Sequence, residues 1–468
     1  MSDAGRRETP APARHPRDAL RPALSLGDAT FLVVASVIGS GIFLTPGPIA
    51  NTLPHPGWIF AAWLAGGLLS LAGALANAEL GAMYPHAGGD YVYLREAFHP
   101  AAGFLVGWLT FFVIYAGTIA TLAAGFAGSL ASFVPLGEAG TLAVAVGITV
   151  ASTALNWIGV RVGARFNNAT TLLKVLAIVA FVALGPFVGP GSWTNLASPA
   201  PGDGSGAIGL SSFGLALSPV LFSYLGWNAT VYVASEMHVP ERDVPRSLFL
   251  GLTVCAAIYL AVNAVYLYAL PVTELRHVEN AGQATAAVLF GSAGGRLVAA
   301  FVLASILGTL NATILVGPRI AYAMAIDGLF FRGVEQVHPR FGTPHVALLV
   351  QALVSVGLLL LLRSFPRVLD YTTFAIVLAT MADTAALYAL RRRQPARRRP
   401  YHAWGYPLVP ALYLVANAAI AFAMLRGRPM ECLTGLAIAA SGLPFYLWWA
   451  ARGGDSPGAP NLGPPAGV

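Results

Sequence analysis

Two glycines flank a serine in the first long apolar stretch of the chain, in the run Gly39–Ser40–Gly41. Glycine lets a chain leave helical geometry at little steric cost, so bare N–H and C=O groups could face a ligand at this point. N–H groups at the start of a helical segment favour an anion such as a carboxylate. The same glycines would also suit a close contact between packed helices, which is the alternative interpretation.

A second stretch of the same character lies near the middle of the chain, where Pro219 precedes the run FSYLGWN at 222–228. Carbonyl groups freed near Val37, Phe222 and Ser223 could accept hydrogen bonds from an ammonium group. Interrupted helices in matching positions of two halves indicate a binding site near the middle of the membrane. An anion site beside ammonium acceptors suits a zwitterion, so the two breaks together favour an amino acid as the ligand.

Lys174 is the only lysine of the chain and lies within a long apolar run. It follows Arg165, at the predicted end of that helix, by nine residues, or about 13 Å of helix. A lysine side chain reaches roughly 6 Å, so it could extend to the membrane surface only under strain. The spacing alone leaves two interpretations open: a cation that snorkels to the surface, or a functional group that exchanges a proton.

The composition indicates that the two interrupted runs and Lys174 lie in membrane helices. Of 468 residues, 56% are hydrophobic and only 10% are charged, whereas soluble chains have about 25% charged residues. A soluble enzyme is therefore excluded. A bilayer core needs about 20 apolar residues per helix, and the sequence predicts twelve such runs. They are 26–50, 57–83, 101–132, 138–156, 166–188, 212–236, 246–270, 285–317, 343–362, 368–390, 405–425 and 431–451.

The basic residues test this count independently, because cytoplasmic loops are rich in arginine and lysine. With a cytoplasmic N-terminus, about 20 of the 27 cations fall inside and about 6 outside, and Lys174 lies within a helix. Both termini are therefore predicted to be cytoplasmic. The protein is predicted to lie in a bacterial inner or plasma membrane, in contact with membrane lipids. The arginine-rich run 391–399 is interpreted as an orienting loop, so no nucleic-acid partner is predicted.

Several short motifs stand in order along the chain. They are GSGIF at 39–43 with TP at 45–46, GDYVYLRE at 89–96, FSYLGWN at 222–228, GPR at 317–319, HPR at 338–340, and RPY at 399–401 with GYP at 405–407. In this order they resemble the amino acid–polyamine–organocation transporters, most closely the bacterial branch of the L-type amino acid transporters. The likeness extends over about residues 25–450.

The resemblance implies an all-α, polytopic membrane protein of twelve helices with the LeuT-like fold, a five-plus-five inverted repeat whose helices 1 and 6 are discontinuous. The implied parts are a disordered cytoplasmic N-terminus at 1–25, repeats at 26–188 and 212–390, helices 11 and 12 at 405–451, and a disordered cytoplasmic tail at 452–468. The implied function is secondary transport of amino acids by alternating access, as an exchanger or a proton-coupled symporter.

Particular residues acquire roles through the resemblance. Relatives have a fifth-helix lysine where sodium-coupled cousins bind a cation, so Lys174 is expected to tether the first helix to the eighth, with Thr309 as its hydroxyl partner. Sodium dependence is therefore not expected. Phe222 matches the aromatic gate over bound substrate, and a packing residue between helices is the alternative interpretation. The expected substrate-binding residues are Val37, Ile38, Gly39, Ser40, Gly41, Phe222, Ser223 and Leu225, with Tyr224 and Asn228 as secondary candidates.

The substrate class is read from Leu225, where many relatives have glycine and members that carry cationic amino acids can have aspartate. Leucine supplies no counter-charge and narrows the pocket, which favours small to medium neutral amino acids. A cationic amino acid or polyamine permease of the same fold is the alternative. Mammalian L-type members pair with a glycoprotein through a cysteine between helices 3 and 4. The corresponding loop at 133–140 has none, so no such partner is expected.

Two other classes of membrane protein are less compatible with the sequence. A polytopic membrane enzyme would need a nucleophile–base or metal cluster at membrane depth, and neither HExxH nor GxSxG occurs. A channel would show rings of charged residues along a pore, which are also lacking in the sequence. No cofactor and no metal are therefore predicted. Glu79, Glu236 and Asp383 lie near predicted cytoplasmic helix ends and are interpreted as partners of nearby arginines.

Overall fold

The computed structural model describes residues 18–131, 133–199, 209–362, 365–427 and 429–452. Within these ranges the chain is helical and contains no strand; Leu24 and Met237 form one isolated bridge. Of the predicted terminal segments, the structure describes residues 18–25 of the first, at 1–25, and residue 452 of the second, at 452–468.

The first half of the chain contains ten α-helices in the described ranges. They are α1 (Leu26–Val37), α2 (Gly41–Leu44), α3 (Pro46–Thr52), α4 (Pro56–Met83), α5 (Asp90–Ala97), α6 (Pro100–Leu109), α7 (Ala116–Ala131), α8 (Glu138–Trp157), α9 (Val160–Val188) and α10 (Leu210–Tyr224). A π-helical turn, Thr110–Tyr115, joins α6 to α7, and a 3₁₀ turn, Trp193–Leu196, follows α9.

The second half contains nine more among the described residues. They are α11 (Ala229–Tyr232), α12 (Pro240–Ala269), α13 (Val272–Leu275), α14 (Ala281–Val316), α15 (Pro318–Ile326), α16 (His345–Leu362), α17 (Phe365–Arg393), α18 (Leu408–Gly427) and α19 (Pro429–Arg452). A 3₁₀ turn, Ala234–Glu236, lies between α11 and α12. Helix α14 bends at Gly291, whose φ of +73° is one that glycine adopts without strain.

Ten helices of the described chain are long and apolar enough to cross a membrane. They are Leu26–Leu44, Pro56–Met83, Pro100–Ala131, Glu138–Trp157, Val160–Val188, Pro240–Ala269, Ala281–Ile326, Thr372–Arg393, Leu408–Gly427 and Cys432–Ala451. They coincide with ten of the twelve predicted runs. Two shorter apolar helices, Ser212–Tyr224 and His345–Leu361, fall in the sixth and ninth runs. The chain is thus a polytopic, all-helical membrane protein.

The first predicted run is not one helix but three. Helix α1 begins with a capping box, in which the Ser25 hydroxyl accepts from the Asp28 N–H and the Asp28 carboxylate accepts from the Ser25 N–H. It ends at Val37, and helical geometry resumes at Gly41 as α2. Helix α1 packs against α9, α12 and α14. The break is therefore enclosed by other helices. Such enclosure is required of any non-helical backbone that lies at membrane depth.

The sixth predicted run is also interrupted. Helix α10 ends at Tyr224, and four residues outside a helix precede α11. Gly226 has a φ of +93°, and a Cβ at this position would lie 2.9 Å from the Ser36 carbonyl oxygen. Both the backbone conformation and the close approach to α1 therefore require glycine.

Candidate functional site

The two helix breaks meet in the interior. A Cβ on Gly41 would lie 2.8 Å from the Ser223 Cα, so only glycine allows this approach. The hydroxyl groups of Thr45 and Ser223 share a hydrogen bond of 3.0 Å. Together with the contact between Gly226 and Ser36, these approaches bring the unwound backbone of both helices to one place.

The break after α1 leaves backbone donors available. Among the described residues, no backbone carbonyl accepts from the N–H groups of Ser40, Gly41 and Ile42. The Gly39 N–H, predicted to be free, donates instead to the Val37 carbonyl at 2.8 Å, because the chain makes a tight turn there. The donors suited to a carboxylate are thus shifted by one residue from the predicted set, and Ile42 joins it.

Residues with carbonyl acceptors line the same cavity. The Tyr259 hydroxyl lies 2.8 Å from the Val37 carbonyl oxygen and 2.7 Å from the Ser223 carbonyl oxygen, so it holds the two breaks together. The Phe222 carbonyl accepts from the Leu225 N–H at 3.2 Å. The Phe222 and Ser223 oxygens each keep a lone pair with which they can accept from an ammonium group, whereas the Val37 oxygen also accepts from the Gly39 N–H. Tyr259, on α12, was not among the predicted residues.

A buried cavity of about 130 Å³ lies between the two breaks. Of the predicted substrate-binding residues, Val37, Gly39, Ser40, Gly41, Phe222, Ser223, Leu225 and Asn228 line it, and so does Thr309. Ile38 and Tyr224 are not among the lining residues. The Ile38 carbonyl is taken up by Lys174. The Tyr224 hydroxyl donates to the Trp63 carbonyl at 3.2 Å, and the ring packs against Trp63 and Tyr259.

The sequence did not predict the cavity-lining residues that other helices contribute. These are Ile114, Tyr115, Thr118, Thr121 and Leu122 around α7, Asp90, Tyr232, Thr313 and, on α17, Thr372, Ile376, Ala379 and Thr380. The α17 residues recur at spacings of four, three and one, as do residues on one face of a helix. Threonines at such spacings in apolar helices were the available signal.

Lys174 points into the helix bundle, where it is 1% exposed. Its Nζ donates to the Ile38 carbonyl at 2.5 Å and to the Thr309 Oγ1 at 3.2 Å, and it lies 3.5 Å from the Ala35 carbonyl. The Thr309 hydroxyl in turn donates to the Ala35 carbonyl at 2.9 Å. The side chain therefore does not snorkel to a surface. It links α9 to the C-terminal end of α1 and to α14, and its contact with Thr309 is the one that the resemblance implied.

Two of the three acidic residues assigned to arginine partners have them. The Glu236 carboxylate accepts from Arg319 at 2.7 and 3.1 Å, and both side chains are fully buried. The Glu79 carboxylate accepts from Arg391 at 2.9 and 2.5 Å and lies 3.2 Å from Arg399. Paired charges of this kind are the usual condition for burying a carboxylate.

The assignment of Asp383 to an arginine is wrong. Its side chain is completely buried, and no described donor is hydrogen-bonded to either of its carboxylate oxygens. Its nearest ionisable neighbour is a second carboxyl group, that of Asp90. The prediction failed because Asp383 lies more than two helical turns before the arginines at the end of α17, so it faces the interior, away from them.

Asp90 connects this acidic pair to the cavity. Its Oδ2 accepts from the Tyr232 hydroxyl at 2.6 Å, and the Tyr232 oxygen accepts from the Asn228 amide at 3.1 Å. Asp90, Tyr232 and Asn228 all line the cavity. Burial raises the pKa of Asp90, although the hydrogen bond from Tyr232 opposes the shift.

A cavity lined by backbone donors and carbonyl acceptors, formed where two membrane helices unwind, is the geometry of a solute transporter. Comparison with known proteins gives the family. The amino acid permease family matches residues 24–435, nearly the whole chain. The chain belongs to this family of membrane transporters and is not an enzyme.

Individual relatives agree with this result. The chain is 30% identical over 437 residues to the serine/threonine exchanger SteT of Bacillus subtilis, an alignment covering 92% of this chain and 98% of that protein. It is 28% identical to the human large neutral amino acids transporter small subunit 2, over 92% of this chain and 80% of that protein. It is also 28% identical to the human Asc-type amino acid transporter 1, over 94% and 85% respectively.

Proposed function

We propose that the protein exchanges small neutral amino acids across a bacterial inner or plasma membrane without sodium. The observation that carries this proposal is the pair of N–H groups at Ser40 and Gly41, from which no backbone carbonyl of the described residues accepts, on residues that line the same cavity as Phe222 and Ser223. The N–H groups are suited to the carboxylate that every amino acid presents, and the carbonyl oxygens of Phe222 and Ser223 to its ammonium. The serine/threonine exchanger among its relatives supports both the substrate and the mode of transport.

We propose that the architecture behind this function has twelve membrane helices, with inverted repeats at 26–188 and 212–390, two further helices at 405–451 and both termini in the cytoplasm. The matching positions of the two breaks, first in each repeat, support it. The two shorter apolar helices, Ser212–Tyr224 and His345–Leu361, would complete the twelve. The loop at 133–140 lacks cysteine, which supports a transporter that needs no disulfide-linked glycoprotein partner.

Selectivity for small neutral side chains rests on the cavity lining. Four threonines, Thr118, Thr121, Thr313 and Thr380, are among its lining residues, and threonine hydroxyl groups can hydrogen-bond a serine or threonine side chain. Leu225 adds bulk and no charge. Asp90 is the one acidic residue of the described lining, and it already accepts from Tyr232. This arrangement supports a neutral substrate over the cationic or polyamine alternative.

Sodium independence rests on Lys174. Its ammonium group lies among the Ile38 carbonyl, the Ala35 carbonyl and the Thr309 hydroxyl. These oxygen atoms are the type of ligand that a sodium ion would use, and the Lys174 side chain already occupies the place among them. We assign Phe222, which lines the cavity at the end of α10, to the gate that closes over the substrate.

A binding competition tests the substrate assignment. Purified protein is incubated with labelled serine, and unlabelled serine, threonine, alanine, leucine or arginine is added in excess. Serine, threonine and alanine should displace the label most effectively, and arginine least. Displacement by arginine in preference to serine would overturn the neutral assignment.

In the same assay Phe222→Ala should weaken serine binding by about tenfold, or about 1.4 kcal/mol, through the lost aromatic contact.

A further inference from the structure

Asp90 and Asp383 form a pair of buried carboxyl groups that the transport geometry described above leaves unexplained. Asp90 is 1% exposed and Asp383 is 0% exposed. They lie on elements far apart in sequence, at the start of α5 and within α17, which pack against each other. The two carboxyl groups are within hydrogen-bonding reach of each other. Two carboxylates can share a hydrogen bond only when one of them is protonated.

The groups that face the pair give it no positive charge. Tyr93 on α5, Tyr115 in the π-helical turn, Tyr232 on α11 and Tyr413 on α18 surround it. On α4 the amide of Asn77 lies next to Asp383. No lysine, arginine or histidine of the described chain acts on either carboxyl group. The nearest acidic side chain of α4, Glu79, is neutralised by Arg391 and Arg399.

Several polar atoms around the pair are buried and have no hydrogen-bond partner among the described residues. They are Oδ1 of Asp90, both carboxylate oxygens of Asp383, the Tyr93 hydroxyl and both side-chain polar atoms of Asn77. The cost of burying an unpaired charge is high, and neutralisation by a proton is the usual way in which a carboxyl group avoids it. These partners are therefore arranged around a neutral or singly charged pair and not around two carboxylates.

We propose that the Asp90–Asp383 pair is a proton-binding site, and that its proton is linked to the substrate cavity through Tyr232 and Asn228. The bound proton bridges the two carboxyl groups and so holds α5 against α17. When it leaves, it passes to water from the Asp90 side, which lines the cavity, and two adjacent carboxylates remain. Their repulsion favours separation of the two elements.

The link to substrate runs through two hydrogen bonds. Asn228 directly precedes α11 and lines the cavity. Its amide donates to the Tyr232 oxygen, and the Tyr232 hydroxyl donates to Asp90. A substrate that moves Asn228 therefore changes the hydrogen bonding of Asp90, and the protonation state of Asp90 changes the position of Asn228. This reciprocity is required of any coupling between two bound ligands.

Infrared spectroscopy of the purified protein tests the site without any assay of transport. The wild type should show the C=O band of a protonated carboxylic acid at neutral pH, and the band should disappear in Asp383→Asn. The control Glu241→Gln should leave it unchanged, since Glu241 is partly exposed and lies 3.5 Å from the largely exposed Arg398. A wild type with no such band, or a band that persists in both Asp383→Asn and Asp90→Asn, would overturn the proposal. If neither variant folds, the pH titration of the wild-type band is the test. A band that disappears as the pH rises supports the proton site, and the absence of a band at every pH contradicts it.

Counterflow of labelled serine at a series of pH values tests the linkage, which rests on the proposed transport function. Above the pH at which the pair begins to lose its proton, the wild-type rate should fall about tenfold per pH unit. Asp383→Asn should transport with a flat profile over the same range. Wild-type counterflow whose pH profile is unchanged by Asp383→Asn would contradict the linkage. A wild type that shows no counterflow would instead refute the transport function, while the infrared band still reports on the proton site.

Discussion

Lys174 and the Asp90–Asp383 pair are both buried ionisable groups next to the same cavity, but their surroundings differ. The ammonium group has oxygen atoms on several sides, from Ala35, Ile38 and Thr309. Within the described part of the chain, the acidic pair accepts from the Tyr232 hydroxyl, and several of the surrounding polar atoms have no hydrogen-bond partner. A group whose hydrogen bonds are satisfied maintains one structure, whereas a pair whose partners are incomplete changes state with its proton. Lys174 is a tether between helices, and the acidic pair is a switch.

The largest effect is expected from removing the tether. Lys174→Ala should reduce serine counterflow at least about 100-fold, equivalent to about 3 kcal/mol, because the carbonyls at the end of α1 lose their buried donor. The measurement is counterflow into proteoliposomes at equal protein content. Arg165→Ala, which removes an exposed cation from the same helix, is the matched control and should transport like the wild type. Normal counterflow in Lys174→Ala would contradict the tether.

A smaller effect is expected at its hydroxyl partner. Thr309→Val removes the acceptor for Lys174 and the donor to Ala35, which should destabilise the protein by about 1–3 kcal/mol. The thermal unfolding of the detergent-solubilised protein measures the loss. Thr309→Ser keeps the hydroxyl and should restore most of the stability. A Thr309→Val variant that is as stable as the wild type would contradict the contribution of these hydrogen bonds.

The switch should reveal itself in the dependence of stability on pH. Because the pKa of Asp90 is raised by burial, the folded protein favours its protonated form. Its contribution to stability is therefore complete at low pH and is lost as pH rises through the folded pKa. The melting temperature of the wild type should fall over that range, and Asp90→Asn should flatten the curve. A wild-type curve that rises with pH and is flattened by Asp90→Asn would reverse the sign and refute this account.

The smallest effects are expected from replacing either of two tyrosines, Tyr224 and Tyr232, and the two replacements should differ in their effect on the pH profile. Tyr232→Phe removes the link between Asp90 and Asn228, so the pH dependence of counterflow should weaken several-fold. Tyr224→Phe removes only a 3.2 Å hydrogen bond to the Trp63 carbonyl, which contributes about 1 kcal/mol to stability. It should leave the pH profile unchanged. Similar pH profiles in the two variants would show that Tyr232 is not the connection.

The tether was predictable from the sequence, and the switch was not. A single lysine within an apolar run and two glycine-bearing breaks are visible without any tertiary information, because each violates the pattern of a membrane helix. The family resemblance then added Thr309. Asp383 was misassigned, since its neighbours come from α4, α5 and α18, and no local spacing reveals which carboxyl group a distant helix brings beside it. Tyr259 was missed for the same reason.

The membrane helices show the same contrast between local features, which the sequence predicts, and details of conformation, which it does not. Ten of the predicted runs coincide with helices long enough to cross a membrane, because apolar length is a local property. The breaks were located correctly by glycine and proline, but the exact free donors were not. The Gly39 N–H is used by a turn, and Ile42 replaces it. Such details depend on φ and ψ at single residues, which composition does not determine.

The most direct test of the transport account is counterflow by the purified protein in liposomes, with and without sodium. Liposomes loaded with unlabelled serine should accumulate labelled serine transiently, to the same extent in sodium and in potassium buffer. Liposomes without internal amino acid should take up much less. Uptake that requires sodium, or uptake that is independent of internal amino acid, would contradict an exchanger in which Lys174 occupies the place of the cation.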